Sequence, residues 1–67
     1  MSEKMNVKAQ AHIHSLDGKL DEVEIIERRG DNDFVAVYNG KKCSAIFNPF
    51  AWDYPYYVDD VYGIINE

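Results

Sequence analysis

The chain has few of the residues that stabilise small secreted domains. Its 67 residues include a single cysteine, Cys43, so no intramolecular disulfide can form. Because small extracellular folds usually need several disulfides, the sequence predicts a reducing, cytoplasmic location. The opening segment MSEKMNVK lacks the apolar core of a signal peptide, and no apolar run approaches the length of a membrane span. We therefore expect no contact with a membrane.

Basic residues are absent from the last third of the chain. All seven Lys and Arg residues lie within residues 1–42, whereas residues 43–67 contain four acidic residues and no basic one. The formal net charge of −5 argues against direct binding to nucleic-acid phosphates. The same charge favours a protein partner with a basic surface, including a protein that itself binds nucleic acid.

The last third is instead rich in aromatic residues. The stretch FNPFAWDYPYYVDDVY, residues 47–62, contains seven aromatic side chains among sixteen residues. A domain of this size buries only about 60% of the surface that its unfolded chain exposes, so its core cannot hold all of these rings. Tyr and Trp are also over-represented at binding hot spots. The segment is therefore the first candidate for recognition of a partner.

We expect these rings to divide between core and surface. Phe47 and Phe50, with Trp52 as a third candidate, are expected to cap the core and to rigidify the loop that contains them. At least two of the three following tyrosines are expected to be exposed, from the set Tyr54, Tyr56 and Tyr57.

Most of the chain shows the periodicity of β-strands. In NVKAQAHIH, residues 6–14, apolar and polar residues alternate, and the odd-numbered ones are expected to face the core. The segment DEVEIIERR, residues 21–29, predicts a second strand with Val23 and Ile25 inward. Ile26 breaks this alternation, which indicates either a bulge or a second buried face.

Turn residues mark the ends of these strands. Asp17-Gly18 lies in a predicted turn over residues 15–19, and a second turn covers residues 30–33. Asn39-Gly40 separates FVAVY from CSAIF and is a strong hairpin signal, because both central positions of a type I′ turn need positive φ. Lys41-Lys42 either extends this turn or begins the next strand.

After Phe47 the strand pattern fails. The two prolines of this region each remove a backbone donor and restrict the preceding residue, so residues 48–57 are expected to form an ordered loop. One helical turn is predicted at residues 58–62 and a short last strand at residues 63–66, with a C-terminal helix as the alternative.

The spacing of these strands resembles that of a Src-homology-3-like (SH3-like) barrel or a related small five-stranded roll. We expect one mainly β, antiparallel domain over residues 1–67, with a flexible lead-in from Met1 to Met5. Closing the sheet would remove the exposed edges that a four-stranded meander leaves open. The resemblance is architectural and implies no functional residue.

Few residues suggest catalysis or metal binding. His12 and His14 lie two apart on a predicted strand, about 7 Å apart along one face, which suits two ligands of one metal ion. A complete site needs more ligands, such as Glu22 or Glu24, and two solvated histidines are the alternative. Cys43 is expected to be a small buried residue. We predict no metal site, no cofactor and no enzymatic activity.

The predicted interaction surface combines rings with carboxylates. Asp17, Asp21, Glu22 and Glu24 also form an acidic row, which either imitates the phosphates of a nucleic acid or is an ordinary solvated strand face. The candidate partner-binding residues are Trp52, Asp53, Tyr54, Tyr56, Tyr57, Asp59, Asp60, Glu22 and Glu24.

Two functions fit these residues. The first is a small acidic protein that binds a basic surface, in particular as an inhibitor of a nucleic-acid-binding protein. In size, charge and compactness the chain is similar to the anti-CRISPR and anti-restriction proteins of phages and other mobile elements. The alternative is an SH3-like module that binds Pro-rich or Arg-flanked peptides in an aromatic groove beside an acidic loop, here the segment 17–24. A broad convex patch of rings and carboxylates favours the first function, and a narrow groove favours the second.

Overall fold

A computed structural model describes residues 3–66 and shows a mainly β fold. This confirms the predicted fold class. Within the described residues no helix has the length and apolar character needed to cross a membrane. The elements, in chain order, are β1 (Glu3–Ile13), a 3-10 turn (His14–Leu16), β2 (Lys19–Arg28), β3 (Asp33–Tyr38), β4 (Lys41–Phe47) and β5 (Tyr56–Ile64).

The five strands form one closed, barrel-like ring in sequence order. Each strand runs antiparallel to the next one along the chain. Because the number of strands is odd, the first and last strands must point the same way. The ring accordingly closes through a short parallel pairing of β1 with β5, from Ala11 opposite Tyr56 to Ile13 opposite Val58. This pair is the one departure from the expected antiparallel order.

The core consists of apolar side chains on the inner face of the barrel-like sheet, most of them small or medium-sized, with the larger Phe34 and Tyr38. Val23 and Ile25 are buried there as predicted. Val7 was expected to be inward but is exposed, because β5 covers β1 only from Ala11 to Ile13 and leaves Val7 without a neighbouring strand on that side. The buried apolar cluster consists of Ala11, Ile13, Val23, Ile25, Phe34, Ala36, Tyr38, Cys43, Ala45 and Val58.

The predicted turns are present, although their last residues, Lys19 and Asp33, already begin β2 and β3. Asn39 and Gly40 have φ of 52° and 76°, as a type I′ turn requires, and Lys41 begins the next strand. Asp17 and Gly18 also have positive φ, in the turn that follows the 3-10 helix. The pairing of β2 with β3 shifts register between Ile25 and Glu27, so the bulge at Ile26 is confirmed.

The two ends of the chain differ from the sequence-based expectations. The predicted helical turn at residues 58–62 is wrong, because these residues lie within β5. This strand pairs with β4 from Tyr56, opposite Phe47, to Asp59, opposite Ser44. The pairing then skips residues 60–63 and resumes at Ile64 opposite Cys43. The flexible lead-in is also wrong for residues 3–5, which already belong to β1, while Met1 and Ser2 lie outside the described residues.

Candidate interaction surface

The loop between β4 and β5 is held by hydrogen bonds of its own backbone. The Asn48 N–H donates to the Pro55 carbonyl at 2.6 Å, which closes the base of the loop. Within it, the Asn48 side-chain oxygen accepts the Phe50 N–H at 3.0 Å, and the Asn48 carbonyl accepts the Ala51 N–H at 3.1 Å. The predicted ordered loop is present over residues 48–55, whereas residues 56–57, also assigned to it, begin β5. The hydrogen bonds hold the loop without burying the rings at positions 50 and 52.

The rings at the tip of this loop lie in water. Phe50 is 89% exposed and Trp52 is fully exposed, so the prediction that Phe50 belongs to the core is wrong and Trp52 does not cap it. The reason is that three other aromatic side chains already fill this end of the barrel-like sheet. They are Phe34, Phe47 and Tyr56, and their ring centroids lie 5.3–6.0 Å apart. Phe47 is partly buried against the core, as expected.

The three loop tyrosines are less exposed than predicted. Tyr57 is 41% exposed, whereas Tyr54 and Tyr56 are half-buried, so the expectation that at least two would be exposed is wrong. Tyr56 packs edge-on against Phe34, and Tyr54 lies 6.5 Å from the ring of His12. Of the three, Tyr57 alone is exposed.

Phe50 and Tyr57 border a shallow groove of about 600 Å³ that is predominantly apolar. Ile46, half exposed on β4, lies in this groove directly opposite Tyr57 in the β4–β5 pairing. We call this feature the aromatic groove. Its lining residues, none of them charged, are Asn32, Ile46, Phe47, Asn48, Pro49, Phe50 and Tyr57.

Tyr57 extends the apolar surface toward the other end of β5. Its hydroxyl lies 2.8 Å from Nδ1 of His14, and the His14 ring contacts both Tyr57 and Tyr62 edge-on. Tyr62 is largely exposed and was not among the predicted site residues. Rings thus continue from Phe50 through Tyr57 to Tyr62 along one side of the molecule.

Asp59 and Asp60 form hydrogen bonds within the chain. The Asp59 carboxylate accepts the backbone N–H of Val61 at 3.1 Å and of Tyr62 at 2.8 Å. The Asp60 carboxylate accepts the Ser15 N–H at 2.9 Å and the Ser15 hydroxyl at 2.5 Å. Both carboxylates were predicted to bind a partner. Asp59 also stabilises the backbone at the end of β5, and Asp60 connects the 3-10 turn to β5.

These hydrogen bonds favour the ionised carboxylates. The Tyr62 N–H is the main reason that the pKa of Asp59 lies below its ordinary value. For Asp60 partial burial alone would raise the pKa, but the two hydrogen bonds from Ser15, together with a backbone hydrogen bond and the nearby His14, lower the pKa overall. Both residues are thus negatively charged at neutral pH. Asp53 is also exposed, and its carboxylate accepts the Tyr54 N–H in the loop.

Glu22 and Glu24 lie on a different part of the surface. They pair across β1–β2 with Gln10 and Lys8, and they border a second concavity that shares no lining residue with the aromatic groove. Next to them, the Tyr38 hydroxyl donates to Asp21 at 2.7 Å, which lowers the pKa of Asp21. The structure therefore separates the predicted site residues into two regions.

The histidines and the cysteine do not form a joint site. Nδ1 of His12 lies 2.8 Å from the Gly18 carbonyl, whereas His14 lies beyond the end of β1 and contacts Tyr57, so the two rings have different partners. Among residues 3–66 no group of three or more His, Cys, Asp or Glu is placed to hold a metal ion. Cys43 is buried as predicted, and its burial raises the pKa of the thiol.

Asp33 is a carboxylate beside the groove that the sequence analysis missed. It is exposed and pairs with Ile46 across β3 and β4, next to Asn32 in the groove lining. The signal in the sequence was weak, because Asp33 stands in a stretch of turn residues. Only the pairing register brings it beside Ile46.

Two arginines, at the end of β2 and directly after it, form ion pairs with acidic residues. Arg28 lies 3.9 Å from Glu3 and 3.6 Å from Asp31, and Arg29 lies 3.3 Å from the largely buried Glu27. Their charges are thus partly compensated within the chain, and neither side chain lines the groove.

Comparison with known proteins gives no functional information. No family model, no curated protein and no solved structure matches this chain. Any functional conclusion therefore depends on the surface just described.

Proposed function

We propose that the protein is a small acidic interaction protein that binds a basic surface of another protein. The observation that carries this proposal is the exposure of Phe50 and Trp52 at the tip of a hydrogen-bonded loop beside the aromatic groove. Neither ring contributes to the core, and large exposed aromatic side chains are typical anchors of protein interfaces. A loop already held by its own hydrogen bonds loses little conformational freedom when it binds.

The charge of this region supports a basic partner. Residues 43–67, which supply the loop and β5, contain no Lys or Arg, and the whole chain has a net charge of −5. Asp53 is exposed in the loop. Asp33 is exposed beside the groove, opposite Ile46. Negative charge around apolar anchors speeds association with a positively charged surface and disfavours acidic partners.

The finer proposal is that the protein inhibits a nucleic-acid-binding protein, as compact acidic proteins of phages and mobile elements do. In this role the rings anchor the contact, and the surrounding carboxylates occupy the basic surface that a nucleic acid would otherwise use. Glu22 and Glu24 lie outside the aromatic groove, and Lys8 stands opposite Glu24. The row of acids on β2 therefore adds less to this proposal than the exposed rings do.

Affinity capture with matched variants tests the proposed function. The immobilised protein is compared with a Phe50→Ala/Trp52→Ala variant and with Leu20→Ala, which removes an exposed apolar side chain on β2. We expect wild type and Leu20→Ala to retain the same basic protein from a lysate of the native host, and the double variant to lose it. Mass spectrometry identifies the retained protein. Equal retention by all three proteins would refute a role for the loop.

Trp52 provides a direct measurement of the same contact. It is the single tryptophan of the chain and is fully exposed, so its fluorescence reports on its own surroundings. If the captured protein, purified and free of tryptophan at its contact surface, covers this ring, the emission shifts to shorter wavelength and becomes less sensitive to acrylamide. Unchanged emission at saturating partner would show that Trp52 is not in the interface.

A further inference from the structure

We infer that the aromatic groove binds an extended peptide segment of the partner in which a bulky apolar side chain is flanked by Arg or Lys. This inference rests on the proposed function and specifies the chemistry that the surface recognises. It assigns two residues to recognition that the sequence analysis did not select, Ile46 for the apolar side chain and Asp33 for the basic one.

The groove has the size and lining of an apolar anchor site. Its volume of about 600 Å³ falls within the range of pockets that take small ligands or a few side chains. Ile46 on β4, Phe50 in the loop and Tyr57 on β5 line it together. An aliphatic or aromatic side chain placed there would remove from water three side chains that this fold leaves exposed.

Asp33 supplies a charge at the side of this groove. Cross-strand partners in an antiparallel pair project to the same face with Cβ atoms about 5 Å apart, so Asp33 and Ile46 present their side chains together. The backbone carbonyl of Asp33 accepts the N–H groups of Arg29 at 2.7 Å and Gly30 at 3.1 Å, which fixes the position of the residue. Within residues 3–66 no hydrogen bond or ion pair occupies its carboxylate.

The charges around the groove determine which occupant fits. No charged side chain lines the groove itself, and the neighbouring Arg28 already contacts Asp31. An incoming Arg or Lys next to an apolar anchor would therefore meet Asp33 without displacing a cation of this chain. An acidic segment would face Asp33 and the net charge of −5. Of the two ligand types predicted from the sequence, the Arg-flanked segment is thus favoured over an uncharged Pro-rich one.

The position of the acidic group also corrects the expected peptide-binding geometry. The segment 17–24 was the predicted acidic neighbour of the rings, but none of its residues lines the aromatic groove. Asp33 takes that position, because β3 lies next to β4 in the ring and places its first residue opposite Ile46.

A fluorescent peptide tests this inference. The probe is a fluorescein-labelled decapeptide with the sequence Gly-Ser-Arg-Arg-Leu-Phe-Arg-Arg-Gly-Ser, titrated with the purified protein and followed by fluorescence anisotropy. Two control peptides replace either the four Arg by Glu or the Leu-Phe pair by Gly-Ser. We expect measurable binding of the first peptide and at least about tenfold weaker binding of both controls, because each lacks one of the two recognised features.

Protein variants locate the contact. Ile46→Thr keeps a β-branched side chain on β4 and removes apolar surface, and we expect it to weaken binding about tenfold. Asp33→Asn removes the charge at nearly constant shape, and we expect a loss of about two- to fivefold that disappears at high salt. Glu22→Gln removes one charge outside the groove and serves as the matched control. Thermal melts of each variant confirm that it is folded.

The outcomes distinguish this inference from the proposed function. Absence of peptide binding, or equal weakening by Asp33→Asn and Glu22→Gln, overturns the peptide-binding inference. If the captured partner still depends on Phe50 and Trp52 in that case, the proposed function stands, and the loop recognises a folded surface. If capture is also independent of the loop rings, the proposed function fails as well.

Discussion

Single carboxylates in this protein have structural roles that their position in the sequence did not reveal. Asp59 and Asp60 were selected as charges for a partner, yet each accepts two hydrogen bonds from its own chain. Hydrogen bonds of this kind stabilise the ionised form, which makes the folded state sensitive to acid.

The first prediction concerns this acid sensitivity. The pKa values of Asp21, Asp59 and Asp60 are lowered from the ordinary value of 3.8. Their contribution to stability is therefore fully present above about pH 4 and is lost as the pH falls through the lowered values. We expect the melting temperature, measured by circular dichroism, to be nearly constant from about pH 7 to 5 and to drop below about pH 4. In Asp60→Asn, which cannot titrate at this position, the drop should be smaller.

The second prediction concerns the contact between Tyr38 and Asp21. The hydrogen bond from the Tyr38 hydroxyl is the main reason for the low pKa of Asp21 and also raises the pKa of Tyr38. In Tyr38→Phe we expect the pKa of Asp21 to move up toward 3.8, as followed by carboxyl chemical shifts in an NMR titration. Tyr54→Phe is the control and should leave Asp21 unchanged. An identical Asp21 titration in wild type and Tyr38→Phe would contradict the assigned contact.

At the level of elements, the end of β5 depends on a close approach that only glycine permits. A Cβ atom on Gly63 would lie 2.7 Å from the Asp59 carbonyl oxygen and 3.0 Å from the Ser44 Cβ. These contacts arise where the β4–β5 pairing skips residues 60–63 and the backbone folds back on Asp59. Glycine at this position therefore permits the irregular pairing at the end of β5.

The third prediction follows from this contact. Gly63→Ala should destabilise the fold by about 1–3 kcal/mol, because the added methyl group overlaps backbone that cannot move independently. Gly30→Ala is the matched control, since its Cβ would meet only the Asp33 Cβ at an ordinary 3.5 Å. Urea denaturation of both variants measures the difference. Equal unfolding midpoints would show that the bulge rearranges without cost.

Elements with local signals were predictable, and those set by tertiary pairing were not. The Asn39-Gly40 hairpin and the bulge at Ile26 follow from residue type and alternation alone. Residues 58–62 look irregular in sequence because Asp59 and Asp60 interrupt the apolar pattern. Their first residues join the strand because β4 pairs with β5 as far as Asp59 and β1 pairs with it as far as Val58. Nothing in the local sequence reports these pairings.

On the scale of the whole molecule, stability depends on a small core. The fourth prediction is that Ile13→Ala, at a fully buried position where β1 meets both β2 and β5, costs about 2–5 kcal/mol. This is a large share of the stability of a small domain. Leu20→Ala, at a partly exposed position, should change the free energy of unfolding by less than about 0.5 kcal/mol. Urea denaturation compares the two, and similar losses would contradict the described core.

The candidate site was predictable in composition but not in arrangement. Excess aromatic surface in the last third indicated that some rings would be exposed, and Phe50, Trp52 and Tyr62 are. Which aromatic side chains are exposed depends on which ones occupy the end of the barrel-like sheet, and Phe34, Phe47 and Tyr56 occupy it here. The sequence alone does not show which of several aromatic residues takes this space.

The odd number of strands has a practical consequence for attaching the protein to a surface. Glu3 lies at the end of the ring where Arg28, Phe34 and the start of the β4–β5 loop meet, whereas Ile64 leaves the sheet opposite Cys43, toward the other end. A tether on the Glu3 side therefore leaves from the end of the sheet where the β4–β5 loop begins, and a tether on the Ile64 side leaves next to Tyr62. Immobilising the protein through each end in turn should therefore obstruct different parts of the aromatic surface.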